Sequence, residues 1–302
     1  MHLNEKEFEI LTAIERNNDK VTQRDLSQMT SLALGTVNKV VSKLLEDERI
    51  EVDGQITGIT SKGYEALEPY RVRRAIFLAA GFGERLLPIT YNTPKPMILV
   101  NGKRMIETLI DAVIAAEIEE IIIVRSYYAE HFDMLLNKYP NVNIKFIDDP
   151  YVEWNNISSV YVAREYFGNS YVLESDLILN KPSLIRKYEY CSNYLAFYTS
   201  KTDDYCFATK KGYISDLQIG GIDCYQMVGV SYFSREDGEK YKKDLDYVFN
   251  EVPGAKKKLW DYIQFDMVKD NYTFMVRECN QGDIIEIDTF AELKSIDSKY
   301  DV

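Results

Sequence analysis

The sequence predicts an α/β protein: a mostly parallel or mixed sheet covered by helices, preceded by a small, separate helical domain. Three observations predict it. From about residue 74 onward, short apolar runs alternate with amphipathic stretches. Before them lies a helix-rich stretch with a single hairpin, and between the two stand Pro69 and the basic run Arg71, Arg73 and Arg74. A chain of 302 residues has room for about two domains, placed here at 1–70 and 71–302.

In the first domain, Phe8, Ile10, Leu11 and Ile14 give one helix an apolar face. Thr22 caps a second helix running through Gln28, and Ser31 opens a third that carries Leu34, Val37, Val40, Val41, Leu44 and Leu45. Ile50–Val52, the Asp53-Gly54 turn and Gln55–Ile59 form a hairpin, and 60–67 a closing helix. In the second domain, the strands are Ala75–Leu78, Ile121–Val124, Ile144–Ile147 and Tyr171–Leu173. The helices are Met105–Ile118, Glu130–Tyr139 and Ile157–Glu165. Strands separated by helices imply right-handed crossovers and a sheet buried on both faces.

Composition narrows the function. The net charge of −12 argues against broad nucleic-acid binding, which needs Lys and Arg against phosphates. Four cysteines without paired spacing fit neither a zinc site nor a disulfide framework, and point to a reducing compartment. The N-terminus has no apolar signal core, and no run reaches the roughly 18 apolar residues of a membrane span. A cytoplasmic protein with no membrane partner is expected. The oligomeric state is left open, a homodimer included.

The most informative string is Leu78-Ala79-Ala80-Gly81-Phe82-Gly83-Glu84-Arg85, followed by Thr93-Pro94-Lys95-Pro96. It begins where the first strand of the sheet ends, the edge at which open α/β sheets bind ligands. Gly81 and Gly83 let the backbone approach phosphate oxygens and offer N–H donors. Arg85 adds a planar fork, and Lys95 is a point charge held between two prolines. Gly-x-Gly alone is more often a turn than a phosphate site. The whole string has neither the Gly-Lys-Ser/Thr ending of a P-loop nor a third glycine for a dinucleotide site. It resembles the signature of the nucleotidyltransferase superfamily, which includes sugar-1-phosphate nucleotidylyltransferases and CTP:phosphocholine cytidylyltransferases. Glu84 stands where that superfamily usually has a small polar residue.

The resemblance implies a GT-A-like, Rossmann-like domain, with Leu78, Ala79, Ala80, Gly81, Gly83, Arg85 and Lys95 on the nucleotide and Arg85 and Lys95 catalytic. It also implies Mg²⁺ held by two aspartates. Asp176 follows the apolar strand Tyr171–Leu173, and Asp288 ends the apolar run 284–287. Strand-end acids project into a cleft where Mg²⁺ finds hard oxygen ligands. The competing role for either is a helix N-cap, Asp288 standing just before Phe290–Leu293.

For the acceptor, Trp154-Asn155-Asn156, the run 266–271 and Glu286-Ile287-Asp288 resemble stretches of bacterial CTP:phosphocholine cytidylyltransferases. The likeness implies transfer of CMP from CTP to phosphocholine. An aromatic of that family, just before the Glu-Ile-Asp, is Ile285 here, which leaves room for phosphoethanolamine or an aminophosphonate. Independently, 19 of the 87 residues from Tyr188 to Phe274 are aromatic, against 13% of the chain. Aromatic faces attract quaternary ammonium groups. Tyr205, Trp260 and Tyr262 are the candidate walls, Asp204 and Asp261 the counter-charges, and Asn155 and Asn156 further acceptor contacts. A sugar-1-phosphate nucleotidyltransferase is the second reading.

The order helix, helix-turn-helix, hairpin, helix resembles MarR-like winged-helix domains, and Ile59-Thr60-Ser61-Lys62-Gly63 strengthens the likeness. It implies a DNA partner, and a third reading in which the second domain only senses a ligand. Residues 1–70 hold eight Lys/Arg against thirteen Asp/Glu, so a docking module stands level with a DNA reader.

Overall fold

The structure is a computed structural model that describes residues 2–17 and 20–301. The chain forms two compact units, residues 1–71 and 72–302. In the first, α1 (Glu5–Glu15) starts with a capping box: Asn4 accepts from the Glu7 N–H, and the Glu7 carboxylate accepts from the Asn4 N–H. Thr22 and Asp25 cap α2 (Gln23–Thr30) in the same way. Ser31 does not open the third helix. It takes a left-handed conformation (φ 56°) that ends α2, and α3 (Leu34–Glu46) begins three residues later. An antiparallel pair, β1 (Ile50–Asp53) and β2 (Gln55–Ile59), leads into α4 (Ser61–Leu67), which Thr60 caps. Phe8, Leu11, Leu26, Val37, Leu44 and Ile56 are buried as its core.

Four cations of this unit pair with its own carboxylates. Lys43 and Arg49 both meet the buried Glu7, Lys62 pairs with Glu48, and Lys20 lies 3.5 Å from Asp53. Burial pushes the Glu7 carboxyl up, but Lys43, the Asn4 N–H and Arg49 outweigh it and hold the group below its usual value.

In the second unit, β3 (Arg74–Ala79) runs into the glycine loop. After it come a two-residue pair, β4 (Leu99–Val100) and β5 (Lys103–Arg104), then α5 (Met105–Ala115), β6 (Glu120–Arg125), α6 (Met134–Lys138), β7 (Asn143–Asp148), α7 (Ile157–Val162) and β8 (Ser170–Glu174). The expected helices are all shorter than their apolar periodicity. The one from Met105 stops where Glu117 turns left-handed, and the other two give way to 3₁₀ turns at 129–133 and 164–166. The short β9 (Leu177–Leu179) is followed by two long strands, β10 (Asn193–Lys210) and β11 (Tyr213–Phe233). Then come α8 (Arg235–Glu251), β12 (Met275–Glu278), β13 (Ile284–Glu286) and α9 (Phe290–Ile296).

The main sheet has seven strands in the order β10-β12-β11-β8-β3-β6-β7. From β8 to β7 every pairing is parallel, and β11 joins β8 antiparallel. Strand alternation sorts the core into two layers. Ala75, Phe77, Ile121, Ile123 and Leu173 pack beneath α5 residues. Ile76, Leu78, Ile122, Val124 and Val172 face residues of α7 and α8. Each such side chain, fully buried, contributes about 1.5–3 kcal/mol. This central packing fixes where β3 and β8 end, and those ends carry the site.

Candidate active site

A cleft of about 1070 Å³ opens at the carboxyl ends of β3 and β8. Leu78, Ala79, Ala80, Gly81, Gly83, Arg85 and Lys95 all line it. Gly83 sits at φ +73°, and a Cβ there would come within 3.0 Å of the Lys95 Cβ and 3.2 Å of Thr90. Only glycine lets the loop close against the lysine segment. The Thr90 hydroxyl donates to the Gly83 carbonyl at 3.0 Å and ties the turn.

Lys95 is nearly buried and joins the two aspartates. Its Nζ donates to Asp176 Oδ2 at 2.8 Å and to Asp288 Oδ1 at 2.7 Å. Burial pulls its pKa down, but the aspartates outweigh burial and raise it above the usual lysine value. The Arg85 guanidinium, largely exposed, lies 2.9 Å from Asp288 Oδ1. Burial pushes Asp288 up, yet Lys95 and Arg85 prevail and hold its carboxyl below the usual range. Asp288 does not cap the last helix. Thr289 does, accepting from the Glu292 N–H, while Glu292 accepts from the Asp288 and Thr289 N–H groups.

Two acids that the sequence reading left out join them. Glu174 and Glu286 each end a strand, β8 and β13, two residues before Asp176 and Asp288, and all four line the cleft. Oxygens of Glu174, Asp176 and Glu286 lie within 4.8 Å of one another. Desolvation within the cleft, with Asp176 and Glu174 close by, pushes the Glu286 carboxyl upward. Asp176 Oδ1 is buried and has no hydrogen-bond partner. A divalent cation would supply what that oxygen lacks, and the all-carboxylate donor set suits a hard ion. Glu174, Asp176 and Glu286 gather closely enough to fit such a metal, and Asp288 is joined to Asp176 through the Lys95 ammonium.

On the other side of Glu174 lies a second polar group. Its Oε1 accepts from Asn156 Nδ2 at 3.3 Å and from the Trp260 indole N–H at 3.2 Å. Gly229 (φ +70°) packs against it, and a Cβ there would lie 2.9 Å from Oε2. Asp261 is buried and hydrogen-bonded to Tyr194. Burial pushes Glu174 to about 8, with Asp176 and Asp261 adding to it, and burial alone does the same for Asp261.

Asn155, Asn156, Asp204, Tyr205, Asp261 and Tyr262 all line the cleft. Trp260 does not. Its ring is fully buried among Tyr194 and Phe233, so it is no wall for a ligand and serves as a donor to Glu174. Tyr205 and Tyr262 meet edge to face at 6.3 Å. Two aromatic faces already carry lysines: Lys256 Nζ stands 4.5 Å over Trp154, and Lys258 Nζ 4.7 Å over Tyr262. Ile285 packs into the apolar cluster of Leu86, Ile98 and Leu293 and is not among the residues that line the cleft.

A glycine-lined loop and strand-end carboxylates gathered on one lysine, at the open edge of a mostly parallel sheet, define a nucleotidyltransferase domain. Comparison with known proteins agrees. Residues 74–214 match the family model for nucleotidyl transferases, and residues 3–51 that for winged helix-turn-helix DNA-binding domains. The chain is 34% identical over 230 residues to the 2-aminoethylphosphonate cytidylyltransferase of Lancefieldella rimae, covering 75% of this chain and 92% of that protein. It is 32% identical over 229 residues to the choline-phosphate cytidylyltransferase of Streptococcus pneumoniae, covering 74% and 96%. The solved structure of the CTP:phosphocholine cytidylyltransferase from Streptococcus pneumoniae superposes with a TM-score of 0.68 at 31% identity, over 76% of this chain and 99% of that one. The chain belongs to the nucleotidyl transferase family, with an N-terminal winged-helix domain added. Among the described residues, no helix is long and apolar enough to cross a membrane.

Proposed function

We propose that the second unit is a Mg²⁺-dependent cytidylyltransferase. It moves CMP from CTP to a small acceptor with a phosphoryl or phosphonyl group at one end and a primary ammonium at the other, and 2-aminoethylphosphonate suits the site best. The observation that carries this is the pair Glu174 and Asp261, a half-buried and a buried carboxyl that both line the cleft. A bound ammonium stabilises their charged forms and finds the hydrogen-bond acceptors it needs. Phosphocholine, the acceptor expected from sequence, needs open aromatic faces. Of the three expected walls Trp260 is core and Tyr262 carries a lysine over its face, as Trp154 does, which leaves Tyr205 as a single wall rather than a cage. The likeness to the Lancefieldella rimae enzyme, named for 2-aminoethylphosphonate, supports the same reading.

In the reaction, an oxygen of the acceptor's phosphonyl group attacks the α-phosphorus of CTP. The bond from that phosphorus to the bridging oxygen breaks, and pyrophosphate leaves. The attacking group is anionic near neutral pH, as a phosphomonoester with a second pKa of about 6 would be, so no general base is required. Lys95 and Arg85 neutralise the triphosphate and the leaving group. Mg²⁺, when bound at Asp176 with Asp288 and Glu286, supplies Lewis-acid neutralisation of the reacting oxygens.

With CTP saturating and both acceptors at equal concentration, 2-aminoethylphosphonate should be consumed about tenfold or more faster than phosphocholine, the scale of one charged hydrogen bond. Product masses give the ratio. Preference for phosphocholine would overturn the ammonium reading, and consumption of a sugar 1-phosphate instead would move the protein to another acceptor class.

The winged helix is better suited to docking than to reading DNA. Lys43 and Arg49 meet the buried Glu7, Lys62 and Lys20 pair with Glu48 and Asp53 at the surface, and the hairpin from Ile50 to Ile59 carries Glu51 and Asp53 but no cation. Phosphate neutralisation dominates affinity for DNA. In about 50 mM salt, the full chain should not shift random or genomic duplexes below roughly 10 µM protein. A sub-micromolar complex that weakens steeply with salt would restore the DNA reading.

A further inference from the structure

From the segment after α8 we infer a binding residue for the acceptor's anionic end: Lys257, the middle of three consecutive lysines at the rim of the cleft. The inference rests on the zwitterionic-acceptor reading above. Gly254, at φ +79°, turns the chain into a short 3₁₀ segment, Ala255–Lys257. The two outer lysines are braced on rings. Lys256 lies over Trp154 at 4.5 Å and over Phe249 at 5.0 Å, and Lys258 lies over Tyr262 at 4.7 Å. The backbone is braced as well. The Lys256 carbonyl accepts from the Asn155 N–H at 3.0 Å, and the Lys257 carbonyl from Asn155 Nδ2 at 3.4 Å. The segment then enters Trp260, whose N–H donates to Asn156 Oδ1 at 2.9 Å. It is stitched to the turn that holds Glu174, and so it lies at the acceptor end of the cleft.

Lys257 itself is exposed, lines the cleft, and has no ion pair, hydrogen bond or ring beneath its ammonium among the described residues. Charge balance gives that freedom a use. Among the described residues nine acidic side chains line the cleft, three of them (Glu174, Asp261 and Glu286) pushed upward and so poorer in charge, against the cations Arg85, Lys95 and Lys257. Arg85 and Lys95 are both engaged by the metal-site aspartates. An acceptor whose ammonium goes to Glu174 and Asp261 must bring a phosphonyl or phosphoryl group, close to a dianion, past this acidic lining. Lys257 is the lining cation left to receive it. A flexible ammonium on a fixed backbone suits that task, because it can follow the anion inward without losing its anchor.

Lys257→Ala should raise KM for the zwitterionic acceptor by about ten- to a hundredfold, on the scale of one charge-assisted contact to an anion. KM for CTP and the melting temperature should stay at wild-type values, because the side chain is solvent-exposed and packs against nothing. Lys257→Arg should recover most of the loss, and Lys257→Glu should exceed it. The rise with Lys257→Ala should also shrink as salt is added. Unchanged KM for the acceptor, or a rise in KM for CTP in its place, would overturn the assignment while leaving the cytidylyltransferase reading intact. A wild-type enzyme that uses no zwitterionic acceptor but consumes another phosphorylated substrate would overturn that reading, and this assignment with it.

Discussion

Lys95→Ala is expected to lower kcat by at least about two orders of magnitude, the scale of losing one preorganised charge donor. The lysine is the point on which the site converges: one ammonium bonds both Asp176 and Asp288, and its stem closes against Gly83. Removing it leaves two carboxylates beside the triphosphate with only the exposed Arg85 to offset them. Both the nucleotide and the transition state then meet uncompensated charge. Lys95→Arg should not rescue the loss, because one compact ammonium bonds Asp176 at 2.8 Å and Asp288 at 2.7 Å, and a longer, planar guanidinium does not reproduce that point charge. Circular dichroism and the melting temperature separate this from unfolding. A folded variant that keeps more than a third of wild-type turnover would remove Lys95 from the chemistry.

What the sequence could and could not reveal divides along physical lines. Strand ends, the glycine loop and Lys95 were legible because they depend on local patterns: apolar runs, a required positive φ, prolines on both sides. The capping role of Thr289 was legible too, in principle. Thr289-x-x-Glu292 is a capping box, and it releases Asp288 for the cleft. The Glu-x-Asp pairs where two strands end were an equally available signal for Glu174 and Glu286, since each sets a second acid beside an aspartate at the strand end that opens on the cleft. Trp260 was not legible. Its place in an aromatic-rich stretch cannot distinguish a cavity wall from core, because burial is decided by what packs on it from β10, β11 and the residues near Phe265. Nor could three adjacent lysines be sorted in advance into two that lie over rings and one that does not, since Trp154 and Tyr262 come to them only in the folded cleft. The helix ends were missed for a related reason. Apolar periodicity continues through 3₁₀ turns, where the side chains still face inward but the hydrogen-bond ladder has changed.

Asp176→Asn should reduce Mg²⁺-dependent turnover by at least about a hundredfold, and more than Asp288→Asn does. The amide keeps the carboxylate's shape but has no negative charge to hold a hard cation. The two aspartates differ in what surrounds them. Asp288 Oδ1 is shared by Lys95 and Arg85, and its neighbour Glu286 remains to offer an oxygen if Asp288 is lost. Asp176 Oδ2 meets Lys95, its Oδ1 is buried with no hydrogen-bond partner among the described residues, and the carboxylate belongs to the cluster with Glu174 and Glu286. In the asparagine variant the –NH₂ must face either the Lys95 ammonium, donor against donor, or that buried position, where it presents hydrogens to a cation. Either orientation weakens the metal. The loss should therefore appear as a higher half-saturating Mg²⁺ concentration together with a lower plateau, and Asp288→Asn should show mainly the first. Titrating Mg²⁺ against initial rate for the three proteins makes the comparison, with EDTA as the zero point. Wild-type activity that survives EDTA would end the metal mechanism. Equal losses at the two positions would mean that the buried oxygen of Asp176 holds no privileged place in the site.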